Sequence, residues 1–269
     1  MTSSSIPSLV NPLAERLRSG GLGLALQVRH ASTVDIVLAA RTCGFDALYF
    51  DLQHTPMRED VVAQMSVAAL SAGITSVARI PDGDYGMALR LLDAGVLGIV
   101  VPDVASAEDA RRAVAACKFA PFGHRSAFGS YPHFGYRAVP AVEARGLLND
   151  NTLLIIMLEN KGAIDNADAI AAVPGVDIVH VGSNDLASDL GVPGELTHPQ
   201  IIAAIDRVIG ACRKHGKIPG VGGLAGGDVK RFEQVVKLGA RFLSAANEWN
   251  LMMAAGQERV RVLRGFTPG

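Results

Sequence analysis

Eight short apolar runs alternate with amphipathic segments along almost the whole chain. Each run has about the length of a β-strand and is continuous rather than alternating in polarity, as expected of parallel strands that are buried on both faces. This alternation favours layers of helices packed on a parallel sheet over an all-β sandwich. The runs are 22-LGLALQV-28, 47-ALYFDL-52, 75-TSVARI-80, 98-GIVVP-102, 152-TLLIIMLE-159, 177-DIVHVG-182, 218-IPGVGG-223 and 241-RFLSAANE-248.

The segments between the runs carry helix periodicity and helix end signals. Ser106 and Thr197 stand where helix N-caps are expected. Gly73, Gly216 and Gly239 stand where helices are expected to end, since glycine readily adopts the left-handed conformation found there. The clearest helical segments are 58-REDVVAQMSVAALSAG-73, 106-SAEDARRAVAACKF-119 and 198-HPQIIAAIDRVIGACRKHG-216.

Eight strand–helix pairs in about 240 residues match a (β/α)₈ TIM barrel in both number and length. A doubly wound open sheet is the main competing α/β fold. It is disfavoured because the first strand–helix turn lacks the G-x-G-x-x-G fingerprint of dinucleotide-binding folds. We therefore predict a single barrel domain over residues 1–269.

Composition excludes several classes of protein. The formal net charge of −1 does not suit a nucleic-acid or membrane surface, and no run approaches the ~18 apolar residues of a membrane span. The N-terminal M-T-S-S-S-I-P-S-L-V lacks the features of a signal peptide. Cys43, Cys117 and Cys212 are far apart and odd in number, which predicts reduced thiols. These features predict a soluble cytoplasmic protein.

One irregular stretch, residues 119–150, interrupts the alternation. It carries four of the nine phenylalanines as well as Tyr131 and Tyr136. Two interpretations stay open: an excursion packed over the barrel or against a neighbouring subunit, and a wall of the substrate pocket.

Polar side chains gather at the ends of the predicted strands. In a (β/α)₈ barrel the working residues lie at the carboxyl ends of the strands, so these side chains are expected to share one rim. Each residue alone is also typical of an exposed loop or a surface ion pair. The residues are Asp51, His54, Arg79, Glu159, and the run Gly182, Ser183, Asn184 and Asp185.

The residue types at this rim suit enolate chemistry. Two carboxylates, Glu159 and Asp185, can converge on Mg²⁺, which one or two carboxylates commonly bind together with waters and substrate oxygens. Arg79 offers a planar pair of donors for a carboxylate or phosphate. A histidine such as His54 can accept a proton near neutral pH.

The ordered motifs resemble the HpcH/HpaI aldolases, which are metal-dependent (class II) pyruvate aldolases typified by 4-hydroxy-2-oxoheptane-1,7-dioate aldolase. The resemblance runs from about residue 20 to residue 260. No single motif decides it, but the ordered set is specific. The motifs are 45-FDALYFDLQH-54, 77-VAR-79, 91-LLDAG-95, 121-PFGHR-125, 159-ENKGAIDN-166 and 182-GSNDLASDLG-191.

This resemblance implies a barrel of the phosphoenolpyruvate/pyruvate-domain type. It further implies a homohexamer, a trimer of dimers, in which the last helix is exchanged between partners. A divalent ion, Mg²⁺, Mn²⁺ or Co²⁺, is expected on Glu159 and Asp185, with pyruvate bound through its carboxylate and keto oxygens. The expected reaction cleaves or forms 4-hydroxy-2-oxo acids from pyruvate and an aldehyde, with oxaloacetate decarboxylation as a side activity.

The resemblance also implies a role for each remaining site residue. Arg79 is expected against the keto or enolate oxygen, and Asp51 is expected to keep the site in order. His54 is expected to form a base system with Asp93 from a neighbouring subunit. Backbone amides of residues 182–185 are expected to receive the substrate carboxylate.

One departure from the family pattern stands two residues before Glu159. The family commonly has a glutamine there, whereas this chain has Met157, so a hydrogen-bonding amide is lost from the inward-facing register of the strand. This departure, and the aromatic stretch 126-SAFGSYPHFGY-136, bear on the identity of the substrates rather than on the metal site.

Three other functions remain open from the residues. A Schiff-base (class I) aldolase needs a lysine at a strand end; Lys161 is the nearest but begins the following helix. A CoA-ester lyase related to the citrate-lyase β-subunit needs a basic or adenine-binding surface. A catalytically silent barrel with a binding role is favoured only by Met157.

Overall fold

The computed structural model describes residues 8–224 and 229–267. Residues 1–7 lie outside these ranges; they begin the N-terminal stretch M-T-S-S-S-I-P-S-L-V. Both ends of the predicted 1–269 domain therefore also lie outside the described ranges. In the described chain, eight parallel strands form a closed barrel in the order β1 to β8, which confirms the predicted (β/α)₈ fold. The strands are β1 (Gly23–Val28), β2 (Ala47–Asp51), β3 (Thr75–Arg79), β4 (Gly98–Val101), β5 (Leu153–Leu158), β6 (Ile178–Gly182), β7 (Ile218–Gly222) and β8 (Phe242–Asn247).

Helices follow the strands and cover the outside of the barrel. They are α1 (Pro12–Arg18), α2 (Asp35–Thr42), α3 (Glu59–Ala72), α4 (Tyr85–Asp93), α5 (Ala107–Cys117), α6 (Ala141–Asn151), α7 (Lys161–Asp165), α8 (Ala167–Ala171), α9 (Ser183–Asp189), α10 (Pro199–His215), α11 (Val229–Leu238) and α12 (Glu248–Arg264). Residues Pro132–Phe134 form a short 3₁₀ helix. No helix in the described ranges has the length and apolar character needed to cross a membrane.

Two apolar layers hold the barrel together. One fills its interior with alternate residues of the strands, such as Val77, Ile155 and Phe242. The other lies between the strands and the surrounding helices. Because both faces of each strand are covered, nearly every strand residue is buried, which explains why the runs in the sequence are continuous.

Helix α1, which the sequence analysis did not identify, closes the amino-terminal end of the barrel. Its Leu13 and Leu17 join the interior cluster. Asn11 caps the helix and is fully buried, with its side-chain amide donating to the carbonyls of Leu97 and Asn151. The Asn11-Pro12 pair was the available signal, since an N-cap asparagine followed by proline is a typical helix start.

The helix end signals gave one wrong prediction. Ser106 caps α5 by accepting from the Asp109 amide, and Gly73 and Gly216 follow α3 and α10 in the left-handed conformation, as predicted. However, the cap of α10 is His198 rather than Thr197. The His198 side chain accepts from the amide of Gln200, because Pro199 already begins the helix.

Residues 119–150 pack on the barrel and do not line its cavity. Phe119, Tyr131 and Phe134 form a separate apolar cluster with Leu97 and Leu148, near the amino end of β4. Among the described residues that line the cavity at the carboxyl ends of the strands, none comes from this stretch. The wall interpretation is therefore wrong within one chain, and the packing interpretation holds.

The three cysteines are free thiols. Cys117 and Cys212 are buried in α5 and α10, whereas Cys43 is exposed at the end of α2. The prediction of unpaired cysteines is confirmed.

Candidate active site

A cavity of about 220 Å³ opens at the carboxyl ends of the barrel strands. Most of the predicted site residues line it: His54, Arg79, Glu159, and the run from Gly182 through Ser183 and Asn184 to Asp185. The side chains that were far apart in the sequence therefore share one opening. Two predicted residues do not line the cavity: Asp51 lies buried behind Arg79, and Asp93 lies on α4.

Arg79 and Asp51 form a buried pair across neighbouring strands. The β2–β3 register sets the two residues side by side. Arg79 donates from Nε to one carboxylate oxygen of Asp51 at 3.0 Å and from Nη2 to the other at 2.6 Å. The remaining terminal nitrogen, Nη1, lies 4.0 Å from the sulfur of Met157. Because a thioether is only a weak acceptor, Nη1 can still donate to a ligand in the cavity.

Charge keeps Asp51 ionised despite its burial. Burial alone raises the pKa of this carboxyl, but the hydrogen bonds and charge of Arg79 and the charge of Arg29 outweigh it and lower the pKa. The Nε of Arg29 lies 3.3 Å from the Asp51 carboxylate. Asp51 is therefore a buried negative charge that forms ion pairs with two arginines at the cavity.

The loop after β2 places His54 at the mouth of the cavity. Its backbone amide donates to the Asp51 carboxylate at 3.3 Å, and the Thr55 hydroxyl donates to the Asp51 carbonyl. The loop is thus tied at two points to the same residue that orients Arg79. The His54 side chain itself is exposed, so its ring can meet a substrate or water.

Glu159 follows β5 directly and is 4% exposed. One of its oxygens accepts from the backbone amide of Asp103 at 3.0 Å, and Asp103 adopts a left-handed backbone with φ of 53°. Burial raises the pKa of Glu159 to about 7; the Asp103 amide opposes this, while the charges of Asp103 and Asp185 add to it. The buried Glu159 carboxylate therefore holds a proton more tightly than a solvent-exposed glutamate does.

Gly182 makes room for Glu159. A Cβ atom on Gly182 would lie 2.6 Å from the Glu159 Oε2 and 3.0 Å from its Cβ, closer than side-chain atoms pack. The end of β6 therefore has to be glycine for the carboxylate to reach the cavity. Asp185 stands in the first turn of α9, just beyond, and is exposed.

The donor set fits a hard divalent cation. In the described ranges, no group of three or more His, Cys, Asp or Glu side chains is arranged to hold a metal. Glu159 and Asp185 both line the cavity, and one or two carboxylates are a common protein share of a Mg²⁺ site. The raised pKa of Glu159 fits the same role, because a bound cation would stabilise the ionised form that burial disfavours.

The structure adds polar lining residues that the sequence analysis missed. Tyr49, His180 and Ser244 line the cavity from inward-facing positions on β2, β6 and β8. The Tyr49 hydroxyl, the Ser183 hydroxyl and both ring nitrogens of His180 are buried and have no hydrogen-bond partner within the described chain. These residues could have been found in the sequence because each is an isolated polar residue inside an apolar run. Such a residue points into the barrel when it lies an even number of positions from an inward-facing residue of the same strand.

The model of the HpcH/HpaI aldolase/citrate lyase family matches residues 29–255. The chain belongs to this family. It is 36% identical over 250 residues to 4-hydroxy-4-methyl-2-oxoglutarate aldolase of Hapsidospora irregularis, covering 92% of this chain and 93% of that protein. It is 32% identical over 215 residues to 5-keto-4-deoxy-D-glucarate aldolase of Klebsiella pneumoniae, covering 80% and 82%.

A solved structure agrees with this assignment. The HpcH/HpaI aldolase from Desulfitobacterium hafniense superposes with a TM-score of 0.90 at 28% identity, covering 96% of this chain and 100% of that one. The chain is therefore an enzyme of the aldolase type, in a family that generally depends on a divalent metal. The predicted family, fold class and reaction type are confirmed. A catalytically silent barrel and a citrate-lyase-like activity are less well supported.

Two further residues stand away from the cavity of this family member. Asp93 ends α4, where its carboxylate accepts from Nη2 of Arg125 at 2.8 Å. Lys161 begins α7 and pairs with Asp165 on the surface. No lysine occurs among the described residues that line the cavity, so a Schiff-base aldolase has no candidate nucleophile there.

Proposed function

We propose that this chain is a divalent-metal-dependent aldolase that cleaves or forms 4-hydroxy-2-oxo acids through the enolate of pyruvate. The observation that carries the proposal is the meeting of Glu159, Asp185, Arg79 and His54 on one cavity. Pyruvate, or oxaloacetate in a side reaction that releases CO₂ to give the same enolate, is the proposed donor. An aldehyde is the proposed acceptor.

Each protein group has a proposed task in the first step. Glu159 and Asp185 hold the cation, which, when bound, supplies positive charge that stabilises the enolate. Arg79 donates from Nη1 to the oxygen on which negative charge develops, while Asp51 keeps the guanidinium in place. The amides of Ser183 to Asp185 receive the substrate carboxylate.

His54 is the proposed base, acting directly or through a water. It accepts a proton from the methyl carbon of pyruvate, and the electron pair left behind forms the enolate. The enolate carbon then attacks the aldehyde carbon, and a proton goes to the new alkoxide. The cleavage direction runs through the same steps in reverse. Asp93, contributed by a neighbouring subunit, is the proposed partner of His54 in this base system.

Several finer statements belong to the same proposal. We assign Mg²⁺, Mn²⁺ or Co²⁺ as the cation, one barrel domain over residues 1–269, and a homohexamer in which α12 is exchanged. The relatives named above act, by their names, on 4-hydroxy-4-methyl-2-oxoglutarate and 5-keto-4-deoxy-D-glucarate. Hydroxylated 2-oxo acids of that kind are accordingly the substrates to screen in the cleavage direction.

Proton–deuterium exchange at the pyruvate methyl group tests the proposal without knowledge of the acceptor. Exchange in D₂O is expected to require Mg²⁺ or Mn²⁺ and to stop in EDTA. It is expected to fall about 100-fold or more in His54→Ala and in Arg79→Ala, since general bases and oxyanion donors each contribute factors of this size.

A surface variant supplies the control. Arg58→Ala removes an exposed arginine that, among the described residues, forms an ion pair with Asp60 alone, and it should leave the exchange rate unchanged. Unchanged exchange in both His54→Ala and Arg79→Ala would refute the assigned roles. Exchange that survives EDTA, with trapping by borohydride, would favour a Schiff-base enzyme instead.

A further inference from the structure

The floor of the cavity contains a polar side chain that the proposed mechanism does not use. His180 lies in the middle of β6, is fully buried, and borders the cavity. Neither of its ring nitrogens has a hydrogen-bond partner among the described residues. Buried polar groups in folded proteins are nearly always paired, so an imidazole left open at a ligand cavity indicates a partner that arrives with the ligand or with ordered water.

His180 stands directly beside Met157. The β5–β6 pairing puts the two residues in register, and both face the barrel interior and border the cavity. The thioether of Met157 is at best a weak acceptor. Of these two paired residues, only His180 can therefore form a strong hydrogen bond with a ligand in the cavity.

Glycines on β7 make room for the ring. A Cβ on Gly220 would lie 2.5 Å from Nδ1 of His180, and a Cβ on Gly222 would lie 2.5 Å from Nε2. The Cβ position of Gly222 is also 3.3 Å from the hydroxyl of Ser244. Because Gly222 and Ser244 both line the cavity, Nε2 is the ring nitrogen on the cavity side.

The ring is neutral in this setting. Burial, together with the smaller effect of the Arg79 charge, lowers the pKa of His180 to about 3. A neutral imidazole has one donor and one acceptor, so it can bond either an oxygen or a water without adding charge next to Arg79.

We propose that His180 is a substrate-positioning residue, which hydrogen-bonds the 2-oxo acid at the cavity floor directly or through one ordered water and so supplies the polar contact that Met157 lacks. This inference rests on the proposed pyruvate site. In this proposal, the imidazole of His180 on β6 makes the contact with the substrate that an amide side chain in place of Met157 on β5 would otherwise make.

Pyruvate binding to His180→Phe tests this role. Phenylalanine keeps a planar ring but has no donor or acceptor. In the presence of Mg²⁺, the Kd from calorimetry and the KM for methyl exchange are expected to rise about tenfold, as for loss of a hydrogen bond in a buried site. The affinity for Mg²⁺ alone should not change. The Tm should stay equal or rise, because an unpaired polar ring becomes apolar.

Two matched variants separate recognition from packing. His180→Gln keeps a donor near Nε2 and should bind pyruvate within about threefold of the wild type, since the hydrogen bond persists. Met157→Gln added to His180→Phe should restore most of the lost affinity, because it returns an amide to the adjacent position. If His180→Phe does not fold, His180→Leu takes its place in both comparisons.

The outcomes keep this inference distinct from the proposed function. Absence of metal-dependent exchange in the wild type would overturn the proposed function itself. Wild-type exchange combined with unchanged pyruvate affinity in His180→Phe would overturn only the role of His180. A loss of affinity that Met157→Gln does not restore, accompanied by a lower Tm, would show that the ring is structural and would also overturn it.

Discussion

Arg79 and Asp51 are connected so closely that neither can be interpreted alone. The carboxylate takes two hydrogen bonds from the guanidinium, and it also faces Arg29 and the loop of His54. A planar, two-pronged fit of this kind is specific to arginine, because lysine offers only a point charge. Asp51 therefore orients both the Arg79 guanidinium and the loop that carries His54.

Replacing Asp51 with asparagine should destabilise the protein by about 3–5 kcal/mol, because removal of one partner leaves a buried charge uncompensated. The free energy of unfolding in urea measures this effect. Asp60→Asn is the matched control, since Asp60 accepts the same two-pronged contact from Arg58 at an exposed site and should show no measurable loss. Equal losses in the two variants would contradict the argument from burial.

Glu159 should make the metal-free protein less stable as the pH rises. Its pKa in the folded protein is raised to about 7, so the folded state binds the proton more tightly than the unfolded state does. That contribution to stability is complete below the unfolded pKa near 4.5 and is lost as the pH rises through about 7. The loss is on the order of 3 kcal/mol at most, from a shift of about two and a half pKa units.

The measurement compares unfolding in EDTA at pH 5 and pH 8. Glu159→Gln removes the titrating group. The free energy of unfolding should therefore fall less between pH 5 and pH 8 in this variant than in the wild type, by on the order of 3 kcal/mol at most. Mg²⁺ added at pH 8 should recover stability in the wild type and not in the variant. Identical pH profiles for the two proteins would rule out the raised pKa.

Strand ends, rather than individual loops, determine where the Glu159 carboxylate enters the cavity. Glu159 is the first residue after β5. Strand β6 ends in Gly182, which leaves space for the Glu159 side chain. Neighbouring strands of a barrel hold a fixed stagger, so one small residue on β6 decides whether the side chain from β5 can enter the cavity.

Gly182→Ala should therefore impair the proposed metal site while preserving the fold. The new Cβ would lie 2.6 Å from Glu159 Oε2, so the carboxylate has to move away from the cavity. The Mn²⁺ affinity is expected to fall about tenfold or more, as for a disturbed metal ligand. Gly210→Ala in α10 is the control, because no described atom outside its own stretch of helix lies within 4 Å of its Cβ position; it should retain full Mn²⁺ affinity. Wild-type affinity in Gly182→Ala would refute the steric argument.

The last helix, α12, exposes apolar side chains on the surface of the molecule. Within the described chain, α12 has no buried residue, and Leu251, Met252 and Met253 are all largely exposed. An exposed apolar patch of this kind is typical of an interface. It agrees with the proposal that α12 belongs to the contact between subunits.

Mixed oligomers can test whether the site is shared between chains. If His54 of one subunit works with Asp93 of another, His54→Ala and Asp93→Ala proteins should each be inactive alone. After the two are unfolded and refolded together, about a quarter of the sites should contain both native residues, by random pairing across one type of interface. Methyl exchange should return to that fraction of the wild-type rate. Recovery close to zero would show that His54 of one subunit does not work with Asp93 of another.

Much of the architecture was predictable because local physics and global fold agree. Continuous apolar runs separated by capped helices leave few α/β arrangements, and their number indicates a barrel. Helix α1 was missed because it lies outside that alternation, and the cap of α10 was misplaced by one residue. The aromatic stretch 119–150 was ambiguous because aromatic residues suit a core and a pocket equally well.

The sequence by itself determined the eightfold alternation and which residues stand at strand ends, because hydrophobic periodicity and strand length are local properties. It also carried the ordered motifs of the family. Only the tertiary structure decided that Asp51 is buried behind Arg79, that Gly182 opens the path of Glu159, and that His180 lies beside Met157 at the cavity floor. These relations depend on the register between strands that are distant in the chain, and register is set by closure of the whole barrel.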